Sequence, residues 1–215
     1  MRKVKKQSGF TLVEIAIVLV IIGLLLGGVL KGQELIESTK IKNMGKDLSS
    51  FSTMISSYQD RYRTVPGDDG ITGVYAARGW VGTFATNAGP ADNLIGAAAA
   101  ATIPFPALGV ENLLAIQALR TAGFMDGDGS TATEPKNAAG GLISFTHTVM
   151  DFGAQNVVCF SKLTGKQAGA LDRLLDDGVS GTGSVRSDTA VGAAISAATA
   201  VYNETTKGVF LCKTL

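Results

Sequence analysis

The sequence predicts an α+β protein, a long N-terminal helix laid against a small antiparallel sheet. Three observations carry that expectation. An uncharged apolar run, Ile15 to Leu30, follows a basic start. Beyond it, apolar residues recur at gaps of three and four as far as Tyr62. The C-terminal half then holds three short runs of strand character.

Arg2, Lys3, Lys5 and Lys6 open the chain and Gly9-Phe10-Thr11-Leu12-Val13-Glu14 follows. A secretory signal peptide places its small-residue cleavage site after the apolar core. Here the small residue, Gly9, precedes the run, so a cut at that point keeps the hydrophobic segment in the mature chain. Phe10 to Leu30 as a helix is about 31 Å long, enough to cross a hydrocarbon core. The positive-inside rule puts the basic start on the cytoplasmic side and the bulk of the chain across the membrane. An acid just inside a span is a functional-site hypothesis by default, and Glu14 is that acid.

The string GFTLVEIAIVLVIIGLL resembles the amino-terminal signature of type IV pilins and type II secretion pseudopilins. The resemblance implies a pilin-like fold and a prepilin peptidase that cuts between Gly9 and Phe10 and methylates the new Phe10 amine. It implies that Glu14 meets the Phe10 amine of a neighbouring subunit during filament assembly. Other partners implied are further copies or related pilins, an inner-membrane assembly platform, and the lipid bilayer before assembly. Three later stretches also look like pieces of pilin-like heads in one bacterial subfamily. They are Val65-Pro66-Gly67-Asp68, Leu119 to Phe124, and Ala170-Leu171-Asp172 through Asp176-Asp177-Gly178. Many major pilins carry a proline just past the span, and this chain has none between Phe10 and Val65.

The organisation that follows is a leader over 1–9, a long helix over 10–64 with its transmembrane part at 10–30, and a globular head over 65–215. Past the span, Ile41, Met44, Leu48, Phe51, Ile55, Tyr58 and Tyr62 fall on one helical stripe. Such a stripe leading out of a span is expected to pack on the head's own sheet, with Pro66-Gly67 ending the helix. Gly67 to Gly109 reads as loop, pinned by Trp80, Phe84 and Phe105, with a short helix expected over Asn93 to Ala101. Val110 to Thr121 reads as a helix that Gly123 ends. Gly141 to Met150, Asn156 to Leu163 and Gly208 to Lys213 read as strands, and Lys166 to Leu175 as a short helix. Val179 to Ala200, rich in Gly, Ser, Thr and Ala, reads as an exposed loop or weak helix.

Cys159 and Cys212 are the only cysteines. In an exported chain an even pair predicts a disulfide, tying the terminal strand to the sheet, against the alternative of two buried thiols. Gly23 and Gly27 have the spacing that lets span helices approach closely, and equally that of ordinary membrane-helix glycines. Asp126-Gly127-Asp128 offers oxygen ligands at alternate positions, as calcium loops do, but Asn137 stands where an EF-hand requires an acid. A turn is the competing reading, and it applies equally to Asp68-Asp69 and Asp176-Asp177. His147 shares a strand face with Ile143, Phe145 and Val149, the pattern of a core or boundary histidine.

Removing the four basic leader residues leaves 15 Lys and Arg against 18 acids. That balance gives no general nucleic-acid surface. No zinc pair, nucleophile elbow or phosphate loop occurs, so neither catalysis nor a cofactor is expected beyond the open question of calcium. The functional expectation is a non-enzymatic subunit of a type IV pilus-like filament. Its alternatives are a type II secretion pseudopilin, or a minor tip pilin with an adhesive or DNA-uptake role. The chain is accordingly expected in the bacterial inner membrane with its head in the periplasm, and then in a pilus or a periplasmic pseudopilus.

Overall fold

The computed structural model describes residues 9–70, 74–80, 89–96, 110–131, 133–147, 149–188 and 202–215. Helix α1 covers Leu12–Tyr62, followed by α2 at Val74–Ala77 and α3 at Val110–Thr121. Strands β1 (Ile143–His147) and β2 (Asn156–Thr164) come next, then α4 (Gly165–Leu175), β3 (Val185–Asp188) and β4 (Lys207–Thr214). The sheet is antiparallel throughout, in the order β1-β2-β4-β3. The chain divides into two compact units, Met1–Lys40 and Ile41–Leu215.

In the second unit the core is built where α1 meets the sheet. Met44, Leu48, Phe51, Ile55 and Tyr58 are buried, as their spacing requires. Phe51 presents its ring edge-on to Phe145 of β1 and Phe160 of β2, with centroids 5.4 and 6.4 Å apart. Strand alternation decides the rest: Val158, Phe160, Val209 and Leu211 join the α1-facing core, whereas Val157, Cys159, Phe210 and Cys212 form a second cluster with Val149, Met150 and Phe152. Ile116 and Leu119 of α3, with Ala168 and Leu171 of α4, close the larger core. A bulge at Lys162, where φ is +59°, shifts the β2–β4 register between Phe160 and Leu163.

Several expectations need correction. Val179 to Ala200 is not all loop, because Val185–Asp188 pairs with β4 as the fourth strand. The stretch after Gly67 contains the one-turn α2, and the helix expected from Asn93 does not start there, since Asn93 sits at φ +64° among bends. The remainder of that expected helix, together with Phe84 and Phe105, lies outside the described residues. Helix α1 stops at Tyr62, two residues early, because Arg63 turns to φ +63°. The first strand is shorter than expected, ending at His147.

Buried polar contacts fix the chain as it leaves α1. Asp69 pairs with Arg78 at 2.7 Å and accepts hydroxyl bonds from Tyr58 at 3.1 Å and Thr64 at 2.6 Å. The Arg78 guanidinium lies over the rings of Tyr62 and Trp80, and Trp80 stacks on Tyr75. Trp80 thus pins this segment, as expected. Asp68 and Asp69 are more than turn residues, since both are buried.

Candidate functional site

The first turn of α1 brings three of the expected site residues together. Gly9 and Phe10 precede the helix in exposed, non-helical backbone. Thr11 is the N-cap and Glu14 the third helical residue, and the two make a reciprocal capping box. Thr11 donates its N–H and its hydroxyl to Glu14 Oε2, each at 2.8 Å, and the Glu14 N–H reaches Thr11 Oγ1 at 3.3 Å. The Thr-x-x-Glu spacing of residues 11 to 14 is the sequence signal for this box. Every residue from Gly9 to Lys31 is exposed, Phe10 by 84 %. Exposed leucines, isoleucines and valines surround the helix on all sides. A helix apolar all round is a membrane span or the interior of a larger body. Helix α1 is long and apolar enough to cross a membrane. A Cβ placed on Gly23 or Gly27 would meet nothing within 4 Å.

Residues 4–30 match the family model described as the prokaryotic N-terminal methylation motif. The chain carries the prepilin-type signature of type IV pilins and pseudopilins. This prepilin-type start and the apolar helix together fit a membrane-anchored, single-pass pilin. No curated protein and no solved structure matches the chain.

In the head, Cys159 and Cys212 are directly opposed on β2 and β4 and joined by a disulfide, with Cα atoms 4.1 Å apart. Both are fully buried. The bridge therefore ties the terminal strand to the sheet's second strand, as expected. His147 is also buried, with Nδ1 3.0 Å from the Ile95 carbonyl oxygen.

The two aspartates weighed as calcium ligands, Asp126 and Asp128, are exposed. Asp128 accepts from the Ser130 N–H at 2.8 Å and the Ser130 hydroxyl at 2.7 Å, an Asx turn that also lowers its pKa. Folding instead assembles two other acid groups, Asp68 with Asp92 and Glu111, and Asp172 with Asp176 and Asp177. The second group is absorbed by the fold. Asp172 accepts from the Tyr202 hydroxyl at 2.7 Å, and Asp176 from the Val185 N–H at 3.0 Å. In the first group Asp68 accepts from the Asn93 N–H at 2.6 Å and from the Ala91 N–H. Glu111 Oε1 is buried and has no hydrogen-bond partner among the described residues. Burial, then the charges of Asp68 and Asp92, push Glu111 up to about 7.

Proposed function

We propose that this chain is a structural subunit of a type IV pilus-like filament, acting by polymerisation and not by catalysis. A prepilin peptidase removes the leader between Gly9 and Phe10 and methylates the Phe10 amine. Until assembly, residues 10–30 hold the subunit in the inner membrane with its head in the periplasm. On assembly, an assembly platform moves the subunit out of the bilayer and the apolar helices pack together in the fibre core. Glu14 pairs with the Phe10 amine of a neighbouring copy.

The observation that carries the reading is one acid at the start of an exposed apolar helix, inside a matched methylation motif. An acid left unpaired at mid-span costs about 2.5–3.5 kcal/mol on insertion scales, and less near the edge. Pairing on assembly relieves that cost and favours one axial stagger between neighbours. Glu14→Leu is therefore expected to insert as well as the parent and to enter filaments poorly. Intact mass of the membrane pool, with the yield of sheared filaments, reads both steps. A mature terminus other than Phe10 defeats the processing step, and unimpaired filaments from Glu14→Leu defeat the assembly step.

A further inference from the structure

A short segment of the head, residues 89–96, lies across the carboxyl of Glu111. One end is held by the turn after α1. The Gly89 N–H donates to the Gly67 carbonyl oxygen at 2.9 Å, and the Ala91 and Asn93 N–H groups donate to the two carboxylate oxygens of Asp68. The other end is held by β2 and β1. Asn156 accepts from the Ile95 N–H at 2.7 Å and donates Nδ2 to the Asn93 carbonyl oxygen at 2.9 Å, while His147 Nδ1 lies 3.0 Å from the Ile95 carbonyl oxygen. Ile95 is fully buried. Between these anchors the backbone runs close over two acids: a Cβ on Gly89 would lie 2.6 Å from Glu111 Oε1 and 2.7 Å from Asp68 Oδ1. The segment itself carries a third acid, Asp92, and one oxygen from each of Asp68, Asp92 and Glu111 lies within 4.8 Å of the other two. We infer that residues 89–96 form a pH-sensitive strap, closed over Glu111 while that carboxyl carries a proton and loosened as the proton is lost.

The strap is what disfavours a charge on Glu111. It lies against Oε1, which is buried and has no hydrogen-bond partner among the described residues, and its Asp92 adds a second negative charge to that of Asp68. Two backbone N–H groups favour the ionised form of Asp68, so the proton falls to Glu111. The Gly96 N–H, also on the strap, opposes this weakly. Of the other charged or titratable groups nearby, Arg78 pairs with Asp69, and His147 meets the strap at Ile95. Opening hydrates the Glu111 carboxyl and carries the Asp92 charge away, which returns it from about 7 toward the ordinary 4.5. The closed state therefore holds the proton more tightly. Its advantage is complete below the ordinary value and is lost as pH rises through about 7. This inference rests on the packing of the head and stands apart from the filament reading.

Hydrogen exchange of the full-length chain in detergent micelles with EDTA, read by mass spectrometry, reports local opening directly. Each rate is divided by the intrinsic rate at that pH, so that only the opening equilibrium remains. In the parent, protection over residues 91–96 is expected to fall on the order of tenfold between about pH 6 and about pH 8, the change that proton linkage gives for those two pKa values. Strands β2 and β4 are expected to keep theirs. Glu111→Gln, which keeps the shape and cannot ionise, is expected to stay within about twofold over the same range. Asp92→Asn, which keeps an acceptor for the Leu94 N–H and removes the strap's charge, is expected to show a smaller fall than the parent. A flat parent profile, a fall shared by β2 and β4, or a Glu111→Gln profile that falls like the parent's overturns the inference. If Glu111→Gln is unprotected at every pH, Asp92→Asn decides: a fall as large as the parent's overturns the inference, and a reduced one supports it.

Discussion

Burial and two neighbouring carboxylates act on Glu111 in the same direction, and the Gly96 N–H opposes them weakly. Its folded pKa of about 7 lies above the ordinary value of 4.5. Between those values the folded state binds more protons than the unfolded chain, so stability falls as pH rises through that window. Glu111→Gln, which cannot ionise, should flatten the fall. Urea unfolding of parent and variant at intervals from pH 4.5 to about 7 checks this, and parallel profiles count against it. Asp68 lies beside it with its pKa also raised by burial, so its own titration contributes a fall of the same sign. Gly67 makes a second residue-level case. It adopts φ +88°, and a Cβ there would lie 2.8 Å from the Ala115 backbone nitrogen and 2.8 Å from the Glu111 backbone carbonyl oxygen. Gly67→Ala should lower stability by more than about 1 kcal/mol in the same assay, because both the conformation and the space are denied. The acid group itself was not legible in the sequence. Asp68, Asp92 and Glu111 stand far apart in the chain, and only tertiary folding brings their oxygens together.

Elements were legible in proportion to how much apolar pattern each carries. Helix α3 matches its expected bounds, and strands β2 and β4 run no more than one residue beyond theirs. Val157-Val158-Cys159-Phe160 and Val209-Phe210-Leu211-Cys212 are strong strand sequences. Strand β3, Val-Arg-Ser-Asp, has one large apolar residue in four and sits among Gly, Ser and Thr. Its strand state comes from pairing with β4, which no local pattern announces. Two capping boxes were present as spacing, Thr11 with Glu14 and Thr164 with Gln167. Thr164→Ala should cost about 1 kcal/mol, because it leaves the Gln167 N–H without its cap. The disulfide acts on a larger scale, since it closes a separation of 53 residues between β2 and β4. The chain-entropy estimate for such a loop is about 4 kcal/mol, and Cys159→Ser should destabilise the head by about 2–5 kcal/mol. Alkylation before and after reduction, paired with thermal unfolding, tests the bond and its worth together.

At the scale of the whole molecule, the sequence gives two kinds of helix surface within one continuous α1. From Gly9 to Lys31 every residue is exposed, whereas the buried residues of α1 begin at Met44. The α1 residues of the head's larger core run from Ile41 to Tyr62. The unit Ile41–Leu215 holds the sheet, the disulfide and both hydrophobic clusters. Folding stability scales with apolar surface buried, and that surface lies within the second unit. A fragment of residues 37–215, which keeps one helical turn before Ile41, should therefore fold as a soluble monomer without detergent. Its thermal midpoint should match that of the head transition in the full-length chain in detergent. A few residues at the new helix start will fray, but none of them contributes to the core. Circular dichroism for secondary structure and near-ultraviolet signals from Trp80 for packing supply the comparison. A fragment that is helical yet lacks the near-ultraviolet signal would show that residues before 37 are required to order the head. A cooperative transition at the full-length midpoint would show that the apolar segment is free to serve membrane and filament alone.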